Sequence, residues 1–479
     1  MSQLYRCIMA IRFACRIIPF LVFLISISGN LAAQDTATLI NNVTGLYSVK
    51  VNGVLRPTST SEIVEAVKNH PGPISIGGGR YSMGGQTATE HALQIDMRRF
   101  NRVLNFSKQR KEITVQTGIT WRDLLKYIDT ANLSVSIMQS YGNFTVGGSL
   151  SVNAHGRYVH EGPIIRSVKQ IKLVLANGDE VEASRTKNSE LFYGAIGGYG
   201  ALGVITETTL LLDENEKVER TDVLMAANEY KEYFIANVRG DTSIIFHNGD
   251  IYPNGYNKIR AVSFKRTKKE LTNPNRLAPV KESYSINKFM YHLISEHSFG
   301  TFTRQHIIDP LIYIKKPVEW RNYEASANVE ELEPASRRNS TYVLQEYFVP
   351  VENFDSFYNS MKVILKDNKV NVINISIRYA NADTATILSW ARKDVFSFVI
   401  YYKQGTREKD KEHVKVWTRL LIDEAIANNG TYYLPYQIHA TPAQFAAAYP
   451  TAVKLFDLKR KVDPTNKFRN KLWDAYFIP

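Results

Sequence analysis

The order of apolar and polar positions divides the chain into strand and helix signals. Period-two or β-branched runs predict strands over residues 47–51, 94–97, 112–116, 171–176, 180–183 and 204–212. Apolar residues three and four apart predict a helix over 61–68. Thr120 is placed to cap another, with Asp123 in its first turn, where the helix dipole favours an anion. Asn177-Gly178 lies between two of the strands and predicts a hairpin, because both residues tolerate positive φ. The charge run Asp213-Glu-Asn-Glu-Lys-Val-Glu-Arg220 reads as a solvated linker and a domain boundary. Beyond it the pattern is more aromatic, with strands over 243–246, 342–349, 372–379 and 396–402 and helices near 352–367 and 408–428. A last helix is predicted from 442 to 462, ending at Asp463-Pro464. A sheet covered by helices is the natural shape for this second half.

Two of the strand signals open into clustered glycines, Ile74-Ser-Ile-Gly-Gly-Gly-Arg-Tyr-Ser-Met-Gly-Gly-Gln86 and Ser140-Tyr-Gly-Asn-Phe-Thr-Val-Gly-Gly-Ser-Leu-Ser-Val-Asn-Ala-His-Gly-Arg157. Glycine has no Cβ to hold a ligand away, and it lets successive N–H groups converge on an anion. Each loop alone is equally well an ordinary turn. Two within one segment predict a cradle for a diphosphate. Gly198-Tyr-Gly-Ala-Leu-Gly203 matches the dinucleotide fingerprint by letter, but it feeds a β-branched strand where that fingerprint needs a helix, which excludes an NAD-type Rossmann site.

Composition changes this picture little. The chain has 479 residues, 44% hydrophobic and 22% charged, enough for two globular domains. Residues 1–33 have the parts of an export signal: a basic start, the apolar run at 17–27, and Ala32-Ala33 before Gln34. The expected location is therefore periplasmic or extracellular, with membrane association through residues 17–27 if the leader is retained. Net charge is +13, about +10 without Arg6, Arg12 and Arg16 of the leader. The remaining Lys and Arg are interleaved with acids and leave no footprint for nucleic acid. Both cysteines, Cys7 and Cys15, fall in the leader, so a processed chain would have no thiolate for a disulfide, a cysteine-bound metal or a sulfur-linked flavin. His292, His297 and His306 are too dispersed to suggest a metal site.

Gly77-Gly-Gly-Arg80, Gln94-Ile-Asp-Met97, Thr117-Gly118-Ile119, Thr145-Val-Gly-Gly148, Asn153-Ala-His-Gly156 and Gly197-Gly-Tyr-Gly-Ala-Leu-Gly-Val204 resemble, in order and spacing, the FAD domain of the vanillyl-alcohol oxidase and p-cresol methylhydroxylase (PCMH) flavoproteins. Gln345-Glu-Tyr-Phe-Val-Pro350, Ile375-Ser-Ile-Arg378 and the 441–464 segment are similar to the aldonolactone oxidases and decaprenylphosphoryl ribose oxidases. The resemblance implies an α+β fold of two domains: a bipartite PCMH-type FAD-binding domain over 40–212, an α+β cap over 213–435, and a return to the FAD domain over 436–479.

It also implies an FAD-dependent oxidoreductase that oxidises a hydroxyl carbon of a sugar, polyol or aldonolactone, a base taking the hydroxyl proton while hydride passes to the flavin. The flavin does the electronic step and the protein handles orientation and protons. The electron acceptor, dioxygen or another, is left open. A flavoenzyme acting on a lipid-linked sugar, or an FAD-binding protein without turnover, remains an alternative. By the same resemblance Gly77, Gly78, Gly79, Arg80, Tyr81 and Ser82 line the diphosphate loop, and Ser140, Thr145, Val146, Gly147 and Gly148 complete it. Asn153 and His155 fall near the isoalloxazine and Ile205 near the adenine. Many members carry at the position of Arg80 a histidine that bonds covalently to flavin; an arginine cannot, so the implied FAD is non-covalent unless His155 substitutes. Arg378 matches the substrate-side arginine, while the lysine and glutamate of those enzymes fall at Tyr436 and Ser376. Tyr436, Arg378, His155 and Gln437 are the candidate catalytic residues, with His439 as an alternative base. Tyrosine is a poor base unless cations stabilise its phenolate.

Overall fold

The computed structural model describes residues 38–479 apart from Glu282 and His297. The leader, its apolar run and both cysteines lie outside the described residues.

Three sheets position the site. The first is a parallel trio, Gly53–Leu55, Leu93–Asp96 and Ile74–Gly77, with the helix Thr60–Asn69 crossing from one edge strand to the other. Ser59 caps that helix by accepting from the Glu62 amide. The second is antiparallel, in the order Glu180–Ser184, Val168–Val174, Val204–Glu214, Glu112–Gln116, Val103–Ser107. Its first two strands form the hairpin that Asn177-Gly178 predicts, with Gly178 at φ +83°. Thr120 caps Trp121–Asp129 by accepting from the Asp123 amide, as its spacing indicates.

The third sheet has eight antiparallel strands, ordered Val318–Trp320, Lys217–Ala226, Lys258–Arg266, Ile244–Ile251, Asn371–Ala380, Val395–Gly405, Ser340–Pro350, Thr431–Tyr432. One face packs on the helices Phe354–Asp367 and Glu408–Ala427 through contacts such as Phe357 on Phe398 and Trp417 on Tyr402. The other face turns alternate side chains toward the glycine loops: Leu344 and Glu346, Asn374, Ser376 and Arg378, Val399 and Tyr401.

Two expectations are corrected. The charge run 213–220 is no linker: Val204–Glu214 and Lys217–Ala226 are separated by Asn215 and Glu216 alone. Its charges are paired instead, Arg321 with Asp213 at 3.2 Å and Lys111 with Glu214 at 2.9 Å. The final helix is two, Pro442–Ala448 and Ala452–Val462, because Pro450 has no N–H to continue the first.

The C-terminal residues return to the parallel trio. Phe468 bridges Ile74, and Ser75 Oγ donates to the Arg469 carbonyl at 2.8 Å. Lys459, wholly buried with Asp463 at 2.7 Å, also donates to the Ala201 carbonyl and so ties the glycine loop 197–203 to this tail.

Candidate active site

The glycine loops and the open face of the large sheet enclose a cavity of 440 Å³, which abuts a smaller one of 70 Å³. The two share Gly78, Ser82, Thr87, Thr145, Gly148 and Val152 as a common waist. Gly79, Arg80, Tyr81, Ser140 and His155 face the larger chamber. Gly77, Gly147, Gly200, Gly203 and Ile205 face the smaller.

At and beside the waist, glycines leave room that a side chain would fill. A Cβ on Gly78 would collide with Thr145 Oγ1, and one on Gly147 would lie 2.8 Å from Thr117 Cβ. Thr145 Oγ1 meanwhile accepts from the Gly148 amide at 3.2 Å. Ser140 Oγ and Arg80 Nε are buried with no hydrogen-bond partner among the described residues, and both residues line the larger chamber. Such orphaned donors in the larger chamber, next to a waist that carries Gly78 and Gly148, suit the diphosphate of a flavin nucleotide, with one chamber for each end. The guanidinium of Arg80 is not a free fork, since its Nη2 donates to Asp96 at 3.2 Å and leaves only the remaining N–H groups to a ligand.

Several candidates point elsewhere. Val146 is fully buried in the core beneath the loop and faces neither chamber. Asn153 holds a left-handed backbone at φ +48°, and its amide donates to Asp383 at 3.0 Å and accepts from the Ile165 N–H. It locks the loop that carries His155 and lines neither chamber. Gln437 accepts from Tyr47 at 2.9 Å and donates to Tyr402 and Gln404, on the side of the strands away from the cavity. His439 is buried apart from the cavity, and burial, then Lys415 and Arg419, pull its pKa down to about 3.

The reactive groups converge on Glu346, which the sequence did not single out. It is 2% exposed, and His155 Nε2 lies 2.6 Å from its Oε1 while Tyr436 OH donates to its Oε2 at 3.0 Å. Ser397 also donates to Oε1. Burial alone would raise the Glu346 pKa; His155, Arg378 and Ser397 outweigh it and hold the carboxyl below the ordinary range. Tyr436 moves the opposite way. Burial first, then the Glu346 charge, push its phenol well above 10, so it stands as a neutral donor rather than a phenolate. The imidazole of His155 is wedged against Trp390 at 4.8 Å and Phe348 at 5.4 Å, with Nδ1 3.3 Å from the Gly156 carbonyl oxygen. Both its nitrogens are engaged. Arg378 Nε is buried without a partner among the described residues, and the residue lines the same chamber. Farther in, Arg157 pairs with Glu324 at 2.5 Å, and Tyr141, Tyr291 and Arg304 close the wall.

Residues 51–184 match the FAD binding domain family. Mouse L-gulonolactone oxidase is 22% identical over 454 residues, covering 88% of this chain and 94% of its own. Over shorter stretches, the mitochondrial L-galactono-1,4-lactone dehydrogenase of Arabidopsis thaliana is 29% identical across 40% of this chain and 34% of its own, and cytokinin dehydrogenase 2 of the same plant is 31% identical across 36% and 35%. FAD is the cofactor of this chain, bound by its α+β PCMH-type fold.

Proposed function

We propose, starting from an FAD-dependent oxidoreductase that acts on CH–OH donors, that this chain oxidises a hydroxyl-bearing carbon of an aldonolactone or related sugar. The observation that carries the reading is the Tyr436–Glu346–His155 chain at the wall of the larger chamber, beside Arg378, whose Nε has no partner among the described residues. FAD, when bound, supplies the two-electron acceptor for hydride.

The protein's own part is to hold substrate and move one proton. Gly77 to Ser82, Ser140, Thr145, Gly147 and Gly148 would grip the diphosphate, with Ile205 beside the adenine end. As hydride leaves the carbon, its hydroxyl proton becomes acidic. Tyr436 OH accepts that proton while passing its own to Glu346 Oε2, so the phenol stays neutral throughout and the charge change falls on the buried Glu346–His155 pair. Arg378 donates to a substrate oxygen and fixes which hydroxyl faces the tyrosine. Tyr436 thus takes the place of a charged base by borrowing one from the neighbouring strand. Full-length similarity to L-gulonolactone oxidase supports the substrate class, and the leader signal supports export.

Anaerobic mixing with L-gulono-1,4-lactone, L-galactono-1,4-lactone and simple polyols tests this. Flavin bleaching by a lactone within the time of turnover is the expected result, and admission of air then separates oxidase from dehydrogenase. A flavin-loaded protein that no sugar lactone or polyol reduces would refute the substrate class.

A further inference from the structure

The segment 285–316 is built the opposite way round from an ordinary surface helix. It comprises the helices Ser285–Glu296, Ser298–Thr303 and Asp309–Ile314, with a π-helical turn, Arg304–Ile308, joining the last two. Several of its polar groups face inward. Arg304 donates to the Ile373 carbonyl at 3.0 Å and to Asn374 at 3.1 Å, and Tyr252 OH donates to Asp309 at 2.9 Å. Tyr313 is gripped by the guanidinium groups of Arg220 and Arg260, 4.8 and 4.4 Å from its ring centre.

Its large apolar side chains face outward. Phe299 is 67% exposed, Leu311 63% and Ile314 72%, and Phe302, Ile307 and Ile312 are exposed with them. An amphipathic helix on a finished surface hides such residues, and a run of them in one short segment marks a contact. The charge of the stretch says with what. Between residues 298 and 316 Asp309 is the sole acid, and it is buried, whereas Lys315 and Lys316 stand exposed at the end of the apolar run.

We propose that this face rests on an anionic lipid bilayer, with Phe299, Phe302, Leu311 and Ile314 at the acyl boundary and Lys315 and Lys316 among the headgroup phosphates. A second copy of the chain would bring Lys315 and Lys316 to the stretch 298–316, which has no exposed carboxylate to meet them, while Glu296 just before it already pairs with Lys403; anionic headgroups supply that charge. Among the described residues no helix is long and apolar enough to cross a membrane, so this face lies on the bilayer and does not span it. The proposal is independent of the lactone reading. Because Tyr291 and Arg304 of the same helices line the larger chamber, seating this face sets one wall of the active site against the membrane.

Local hydrogen exchange of the full chain tests it, because a readout confined to residues 298–316 is unaffected by any tether through the leader. On vesicles of phosphatidylcholine with phosphatidylglycerol, exchange there is expected to slow about fivefold or more, with little change on phosphatidylcholine alone. Phe299→Ser with Phe302→Ser and Leu311→Ser should abolish the slowing. Lys315→Glu with Lys316→Glu, which leaves the apolar face intact, should remove the preference for anionic vesicles. Unchanged exchange on anionic vesicles overturns the proposal. So does protection that appears without lipid and grows with protein concentration, which assigns the face to a second copy.

Discussion

Glu346 is charged in a place that ought to neutralise it. Burial opposes its ionisation, and His155, Arg378 and Ser397 overcome that opposition. The sign matters for rate. A carboxyl held below its ordinary 4.5 stays a proton acceptor at any pH above that value, so the acid limb of kcat/KM is expected below pH 4.5. A limb that falls clearly above pH 4.5 would contradict Glu346 as the acceptor. Tyr436→Phe removes the hydroxyl that the proposed mechanism sets against the substrate and leaves Glu346 with His155. Flavin content should be unchanged while anaerobic reduction slows by about 10²- to 10⁴-fold, the usual worth of a positioned proton carrier. His155, Arg378 and Tyr436 were legible through motif resemblance, and all three line one chamber. Glu346 was not, because an acid in an alternating strand reads as facing water, and the pattern does not tell water from a closed cavity. Asn153 and Gln437 show the converse: each is a neighbour in sequence to a lining residue, and one step along the backbone turns a side chain to the other side.

Among the elements, the first glycine loop works at Gly78 through space rather than backbone angle. Gly78 has no positive φ; what it provides is room beside Thr145. Gly78→Val should therefore give a folded protein that retains little or no FAD, measured as flavin released per chain on denaturation. Gly240→Val, where a Cβ meets nothing within 4 Å, should remain fully loaded. A yellow, loaded Gly78→Val protein would displace the diphosphate from this waist. These loops were readable because glycine clusters have a local physical cause. The join between the second and third sheets was misread because a run of charges looks alike whether it is free or, like Asp213 and Glu214, paired across strand ends. The strands Lys217–Ala226 and Lys258–Arg266 escaped notice for a related reason: their polar residues pair across the sheet, as Arg260 does with Asp222, and break the alternation that reveals a strand.

At the scale of the whole molecule, two buried histidines set the response to acid. Burial holds His247 and His439 at about 3, against 6.5 in an unfolded chain. The fold prefers both neutral, so their contribution is complete above pH 6.5 and declines as pH falls from 6.5 toward 3, where the unfolded chain takes up protons first. The thermal midpoint should fall across that range, and less steeply in a His247→Gln, His439→Gln double variant. An unchanged slope would place the acid sensitivity elsewhere. The fold class was visible from the sequence, because the motif order spans the chain; the closing of tail onto glycine loop through Lys459 was not, since it joins residues 258 apart. The most direct measurement of the proposed chemistry is anaerobic stopped-flow reduction of fully FAD-loaded Glu346→Gln by the best lactone. The account predicts flavin content equal to the unmodified protein and reduction slower by about 10²-fold or more. Reduction at the unmodified rate would contradict it.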